Sequence, residues 1–377
     1  MQPARMSGTA EWEVYMAGLN RHVYLGANTR KGFRGVYHQL LRNDDCRVYI
    51  LKGGPGTGKS TFIKKVISEL QGYDFCMDII HCSGDPTSLD GVICTEAGVI
   101  VVDGTSPHTL DPAIPGAREE IINLGAFWDS AMLRKFQSDI AQYNEKKAAF
   151  YRRAYQYLAA GGAIYDDSNT IVESCVEKDK MYFFAQKLAS EILYDIDESI
   201  HWGKDTAMFA TAITPGGMQG DVGQIFREEK VYSVKTFYGI HASQILKTVR
   251  SRALACGFDT ESFYCGFDSD ILEHLLIPDL GVAIVTSNDY HEADGHDAYF
   301  DYPLEGFLCE YSVYPVKDDL KYNKIRFDEL MDKAIRSLFK ARQIHGEIEE
   351  IYVAAMDFDS MDQYLDTTLQ RITADIL

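Results

Sequence analysis

The residues best equipped for chemistry in this 377-residue chain stand in one short run, GGPGTGKST, from Gly53 to Thr61. Gly53, four residues, then Gly58, Lys59 and Ser60 match the spacing Gly-x4-Gly-Lys-Ser/Thr, which suits a polyphosphate. Each residue type has a physical task. Gly53, Gly54, Gly56 and Gly58, with Pro55 and Thr57 between them, let backbone N–H groups approach an anion closely. Lys59 supplies an ammonium for the β- and γ-phosphates and Ser60 a hydroxyl for Mg2+, while Thr61 is placed to contact the α-phosphate. A helix starting here adds about half a positive charge at its N-terminus.

The elements that must position this run are legible on either side of it. Ahead, RVYILK is apolar and β-branched like a strand; behind, Phe62, Ile63, Val66, Ile67 and Leu70 fall at helical spacing. A phosphate loop also needs a carboxylate for its metal, usually at the end of a neighbouring apolar strand. GVIVVDG, residues 98–104, supplies Asp103 in that position, so Ser60 and Asp103 are the expected Mg2+ ligands. Between the two motifs, MDIIHCSGDPTSLDG brings His81, Cys82 and Asp85 to the same sheet edge. Asp85 is a candidate to orient water or polarise a nucleophile, and His81 or His108 a candidate base; Asp85 before a proline is equally an ordinary turn residue. The Pro- and Gly-rich loop 103–116 is placed to line an acceptor site.

The chain then repeats itself. At a shift of 183 residues, 48–105 lies on 231–288 without a gap and 15 of the 58 aligned positions are identical, where chance gives about three to four at ordinary residue frequencies. Upstream, Thr29, Gly32 and Gly35 match Thr214, Gly217 and Gly220 at a shift of 185. The substitutions remove the chemistry: Lys59 becomes Ala242, Gly58 His241, Gly54 Phe237 and Asp103 Thr286. Asp85 keeps a counterpart in Asp268, which favours a structural turn there. A disarmed copy can stabilise the live one, read out its nucleotide state, or lend an arginine to the γ-phosphate. Arg118, Arg250 and Arg252 are the candidates for that arginine.

Amphipathic helices are expected over residues 129–158 and 178–200, and again around Phe327–Leu338 and beyond to Ile376. The fold class expected is therefore α/β: two tandem P-loop-type α/β/α units with parallel sheets, each with a helical appendage. The first covers residues 1–205 and the second, degenerate unit 206–377. The loop NDYHEADGHD gathers His291, Glu292, Asp294, His296 and Asp297, a composition that suits metal but without spacing that enforces convergence. A net charge of −19 opposes the phosphate attraction on which nucleic-acid binders and anionic membranes draw, so neither is expected as a partner. Eight cysteines without CxxC pairs read as reduced thiols, and the N-terminus lacks an apolar leader, so a cytoplasmic protein is expected. The oligomeric state is left open.

GGPGTGKST followed by HCSGDPTSLDG and IVVDGTSPHTLDP resembles the P-loop NTPase superfamily, and within it bacterial ATPase-like proteins built from two related halves, along nearly the whole chain. The resemblance implies nucleotide binding at Gly53–Thr61; Ala242 departs from it and puts a second active site in doubt. Three functions follow as expectations: Mg2+-dependent ATP hydrolysis, phosphoryl transfer to a nucleotide or other small molecule, or a nucleotide-gated scaffold with negligible turnover.

Overall fold

The computed structural model of the chain describes residues 20–42, 45–226, 230–291, 300–309 and 314–374. The first unit runs β1 (Arg21–Val23), β2 (Gly26–Thr29), β3 (Gly32–Gly35), β4 (Arg47–Lys52), α1 (Lys59–Leu70), β5 (Asp78–His81), β6 (Leu89–Cys94), β7 (Val99–Asp103), β8 (Glu119–Asn123), α2 (Ser130–Lys135), α3 (Gln137–Cys175) and α4 (Lys178–Ile192). The second runs β9 (Asp205–Met208), β10 (Ala212–Thr214), β11 (Gly217–Gln219), α5 (Val222–Ile225), β12 (Lys230–Lys235), α6 (Ser243–Ala255), β13 (Thr260–Tyr264), β14 (Leu272–Ile277), β15 (Val282–Ser287), β16 (Phe300–Pro303), α7 (Lys317–Ala354) and α8 (Phe358–Ala374).

The repeat carries through to topology. The first sheet has the order β1-β5-β6-β7-β4-β8 and the second, read from its other edge, β9-β13-β14-β15-β12-β16. The sheets are mainly parallel rather than wholly so, because β6 runs antiparallel to β5 and β7, as β14 does to its neighbours. Chain length explains it: only residues 82–88 join β5 to β6 and 95–98 join β6 to β7, too few for a crossover.

Alternate residues of the central strands feed two different cores. Val48 and Ile50 of β4 and Ile100 and Val102 of β7 share one buried cluster with Val231, Ala283 and Val285 of the second sheet, with Tyr37, Leu40, Ile225 and Phe226 wedged among them. Tyr49, Leu51, Val99 and Val101 face the other way, onto α1. The layers are therefore helix, sheet, sheet, helix, in place of two separate helix–sheet–helix units. Strands apolar on both faces need cover on both, and each repeat covers the inner face of the other. The edges are stitched as well: Tyr24 and Phe209 exchange backbone hydrogen bonds of 2.9 Å, and Arg21 pairs with Asp78 of its own unit at 2.7 Å and Glu261 of the other at 2.6 Å.

The helical appendages change places. Met361, Leu365 and Ile372 of α8, the last helix, are buried against Phe62, Ile63 and Val66 of α1 in the first unit. Ala185, Leu188 and Ala189 of α4 are buried against Leu246 and Val249 of α6 in the second. Two long helices carry the chain across. α3 and α7 lie antiparallel, with Lys147 beside His345 at one end and Asp167 accepting from Asn323 at 2.7 Å towards the other. The expected boundary at residue 205 falls at the head of β9, while α4 and α8 each lie on the sheet of the other unit. No helix among the described residues is long and apolar enough to cross a membrane.

This exchange makes a measurable demand. Leu365 is buried in the first unit although more than 240 residues of chain separate it from that unit's last strand, which ends at Asn123. Leu365→Ala is expected to cost about 2–5 kcal/mol. Urea unfolding followed by a probe in the first unit reads this, and an unchanged midpoint would contradict the exchange.

Candidate phosphate-binding site

Residues 53–58 form the turn between β4 and α1. Gly56 (φ 68°) and Gly58 (φ 80°) adopt the left-handed conformation that costs other residues about 1–2 kcal/mol. Thr57 Oγ1 donates across the turn to Gly54 O at 2.8 Å. The Lys59 ammonium folds back to donate to Gly53 O at 3.0 Å and Gly54 O at 2.8 Å, and lies 3.7 Å from Asp103 Oδ2. β7 pairs with β4 so that Leu51 faces Asp103, which is why these two groups meet at the end of the sheet.

Asp103 is buried, with Oδ1 accepting from Thr105 N at 2.8 Å and Thr105 Oγ1 at 2.6 Å. Across the ladder stands Asp90 of β6, whose Oδ2 accepts from Tyr37 Oη at 2.7 Å and whose Oδ1 lies 3.6 Å from His108 Nε2. Burial pushes the Asp90 carboxyl up; His108 opposes this and Asp103 adds to it. Donor atoms of Asp90, Asp103 and His108 all lie within 4.8 Å of one another. The two carboxylates and the Ser60 hydroxyl are hard oxygen donors, a set that fits Mg2+.

The other wall comes from the second unit. A Cβ built on Gly54 would lie 2.7 Å from the Tyr352 ring, one on Gly56 3.1 Å from Glu349 O, and one on Gly58 3.0 Å from Met361 Cε. The end of α7 and the start of α8 thus clasp the turn. From the same stretch of α7, Arg342 reaches Asp85 Oδ2 at 2.7 Å and Glu349 Oε2 at 3.2 Å. His345 sits among these cations; burial, then Lys147, Arg342 and Lys59, bring its pKa down to about 4. Beyond Tyr352 opens a cleft of about 500 Å3 lined by Trp128, Arg134, Gln137 and Asn144, a volume within the usual range for small-molecule sites.

Lys59 and Asp103 are therefore brought together by the elements expected to do it, Ser60 follows Lys59 in the first turn of α1, and His108 joins Asp103 through Asp90. Asp85 stands beside the turn, but one oxygen caps its own loop by accepting from Thr87 N at 3.1 Å and Thr87 Oγ1 at 2.9 Å, and the other holds Arg342. Thr61 is exposed. His81 is turned to His22, Nε2 to Nδ1 at 2.7 Å. Of the three arginines considered, Arg118 holds Glu119 and Leu41 O, Arg250 holds Asp205, Ser262 and Tyr264, and Arg252 holds Glu198. The arginine that stands beside the turn, paired with Asp85, is Arg342. Sequence reasoning missed Arg342, Glu349 and Tyr352, which lie nearly 300 residues downstream in an unremarkable helix. It also missed Asp90, although its counterpart at the 183-residue shift is acidic, Glu273. In the metal-like loop, Glu292, Asp294, His296 and Asp297 lie outside the described residues; His291 meets Glu273 instead, at 3.7 Å.

The second turn shows what is frame and what is function. Ser60 Oγ accepts from Leu89 N at 3.0 Å, and Ser243 Oγ accepts from Leu272 N at the same distance. That bond belongs to the fold. Phe237 and Tyr238, in contrast, stand at the positions of Gly54 and Pro55 and bring aromatic rings to the place of the cradle. Ala242 is buried at the head of α6.

Buried histidines also predict the acid limit of the fold. Burial, helped by His22, brings the pKa of His81 from 6.5 to about 3. The unfolded chain binds this proton first, so stability from His81 is complete above pH 6.5 and is lost as pH falls towards 3. One such group contributes a slope of at most about 1.4 kcal/mol per pH unit. His81→Asn is expected to flatten the decline in unfolding free energy between pH 6.5 and 4; an unchanged slope would contradict it.

Comparison with protein-family models, with curated proteins and with solved structures finds no match to this chain.

Proposed function

We propose that the first unit binds Mg2+·ATP at residues 53–61 and hydrolyses it, and that the second unit is catalytically inactive and braces or regulates the first. The observation that carries this reading is the Lys59 ammonium, held by two carbonyls of the turn at the N-terminus of α1 and 3.7 Å from Asp103. Those carbonyl bonds are ones a phosphate oxygen can replace while the ammonium stays in place. The amides of the turn and the end of α1 receive the phosphates, and Lys59 offsets charge on the β- and γ-oxygens. Ser60 and Asp103 would hold Mg2+, which supplies charge neutralisation between the phosphates. Asp90 and His108 form the buried polar partners behind Asp103, and His108 is the histidine placed to accept a proton near it.

Arg342 is the residue of α7 placed to add positive charge at the γ-phosphate. It is held by two carboxylates, Asp85 and Glu349, and Glu349 also touches the turn through its carbonyl. Filling the turn is thereby coupled to the helix that reaches the second sheet, which supports a regulatory role for the repeat. The nucleoside is accommodated by the cleft beyond Tyr352.

The test is to incubate the purified protein with γ-labelled ATP and Mg2+, with and without a metabolite extract. Label is expected in free phosphate at equal rates in both. Label on an acceptor would replace hydrolysis by a kinase reaction, and label remaining on ATP would leave only a gated scaffold.

A further inference from the structure

Lys52 ends β4, one residue before the phosphate turn. Its ammonium has three hydrogens, and all three go to a single loop: it donates to Gly104 O at 2.8 Å, to Leu110 O at 2.8 Å and to Asp111 Oδ1 at 3.0 Å. We propose that Lys52 is a positioning residue for the reaction at the first turn: it holds the loop 104–110, and with it Asp103 and His108, in register with residues 53–58. The proposal rests on the reading of that turn as the nucleotide site.

The loop is a closed ring of chain. Gly104 N donates back to Leu51 O at 3.0 Å, His108 N to Thr105 O at 2.9 Å and Leu110 N to Gly104 O at 3.4 Å. Gly104 O therefore accepts from both Leu110 N and Lys52, while Leu110 O accepts from Lys52 as well, so the ammonium bridges the two ends of the ring. A cation suits this place, because each bond it donates to a carbonyl is stronger than a neutral one. The approach is close: a Cβ on Gly104 would collide with the Ile50 side chain and stand 3.1 Å from Leu110 O. Two groups of the site ride on this ring. Thr105 holds Asp103 Oδ1 through its N–H and its hydroxyl, and His108 faces Asp90. Residues that orient a metal-binding carboxylate from behind set its affinity and its aim.

The second unit supplies the comparison. Lys235 keeps the lysine at the 183-residue shift, but among the described residues it pairs with Asp301 of the edge strand β16, and its side chain is 59% exposed against 24% for Lys52. In that unit the metal carboxylate has become Thr286. The lysine thus bridges the loop where the carboxylate is kept and turns to the sheet edge where it is lost. A bridge required by the fold alone would be expected in both units.

Steady-state ATP hydrolysis by Lys52→Met, titrated separately with ATP and with Mg2+, tests this. Methionine keeps the apolar stem and removes the ammonium. The variant is expected to lose about 10–100-fold in kcat and to need about 10-fold more Mg2+ for half-saturation, while KM for ATP stays within about three-fold. Lys52→Arg restores the charge but cannot aim three hydrogens at such closely grouped acceptors, and should recover only part of the loss. Lys235→Met, the matching change in the second unit, should leave all three quantities at their wild-type values. Hydrogen exchange without nucleotide should quicken at the His108 and Leu110 amides in Lys52→Met and not in Lys235→Met. Asp111→Asn weakens one of the three bonds from the exposed side and should shift kcat and exchange in the same direction by less, which keeps the test open if Lys52→Met fails to fold. The proposal is overturned if folded Lys52→Met, or Asp111→Asn in its place, keeps wild-type kcat and Mg2+ dependence, or if Lys235→Met loses as much. A wild-type protein that turns over no ATP overturns the nucleotide reading itself, and the positioning role falls with it.

Discussion

Lys59→Ala is expected to lower ATP turnover by on the order of 10³-fold or more and to weaken Mg2+·ATP binding with it. The ammonium has three hydrogens and its present acceptors are two carbonyls, so triphosphate binding trades neutral acceptors for charged ones. Its charge is felt most where the γ-oxygens gain charge, which is why turnover falls further than affinity; a factor of 10³ is about 4 kcal/mol of barrier. The reverse experiment is equally informative. Ala242→Lys is expected to restore no activity to the second unit, since Phe237, Tyr238 and Thr286 still stand where two cradle residues and the metal carboxylate would be. Wild-type phosphate release from Lys59→Ala would remove the site from residues 53–61.

The second large effect belongs to Arg342. Arg342→Ala is expected to lower kcat by about 10²–10³-fold while ATP affinity changes by only a few-fold. The reason lies in its position: Asp85 and Glu349 hold the guanidinium beside the turn, from a helix rooted in the other unit. Arg342→Lys keeps the charge but not the forked geometry and should recover only part of the loss. If Arg342→Ala lowers stability and leaves kcat intact, the arginine merely braces the Asp85 loop.

The contrast between Lys59 and Arg342 shows which parts of the site could be read from the chain. The strand, turn and helix around Lys59 were legible because each is local: β-branched residues, glycines with two left-handed positions, and apolar residues at helical steps. Asp103 was legible because an apolar strand ends there. Arg342 was not, because nothing in an amphipathic helix names the surface against which it packs. For the same reason the helices were recognised, but the exchange of α4 and α8 between sheets was not. β6 carries Asp90 and Gly91 within its six residues and does not announce itself as a strand in the sequence, and its antiparallel direction follows from linkers of only seven and four residues. Asp90 was visible only through the repeat, as an acid conserved in type at Glu273, with His108 and His291 in step.

The central claim is that the early turn of main-chain amides with Lys59 binds a triphosphate and that its later counterpart does not. Calorimetric titration of the wild-type protein with a non-hydrolysable ATP analogue and Mg2+ tests it most directly. One site per chain is expected, abolished by Lys59→Ala. No heat with any nucleoside triphosphate, or two equivalent sites per chain, would contradict the account.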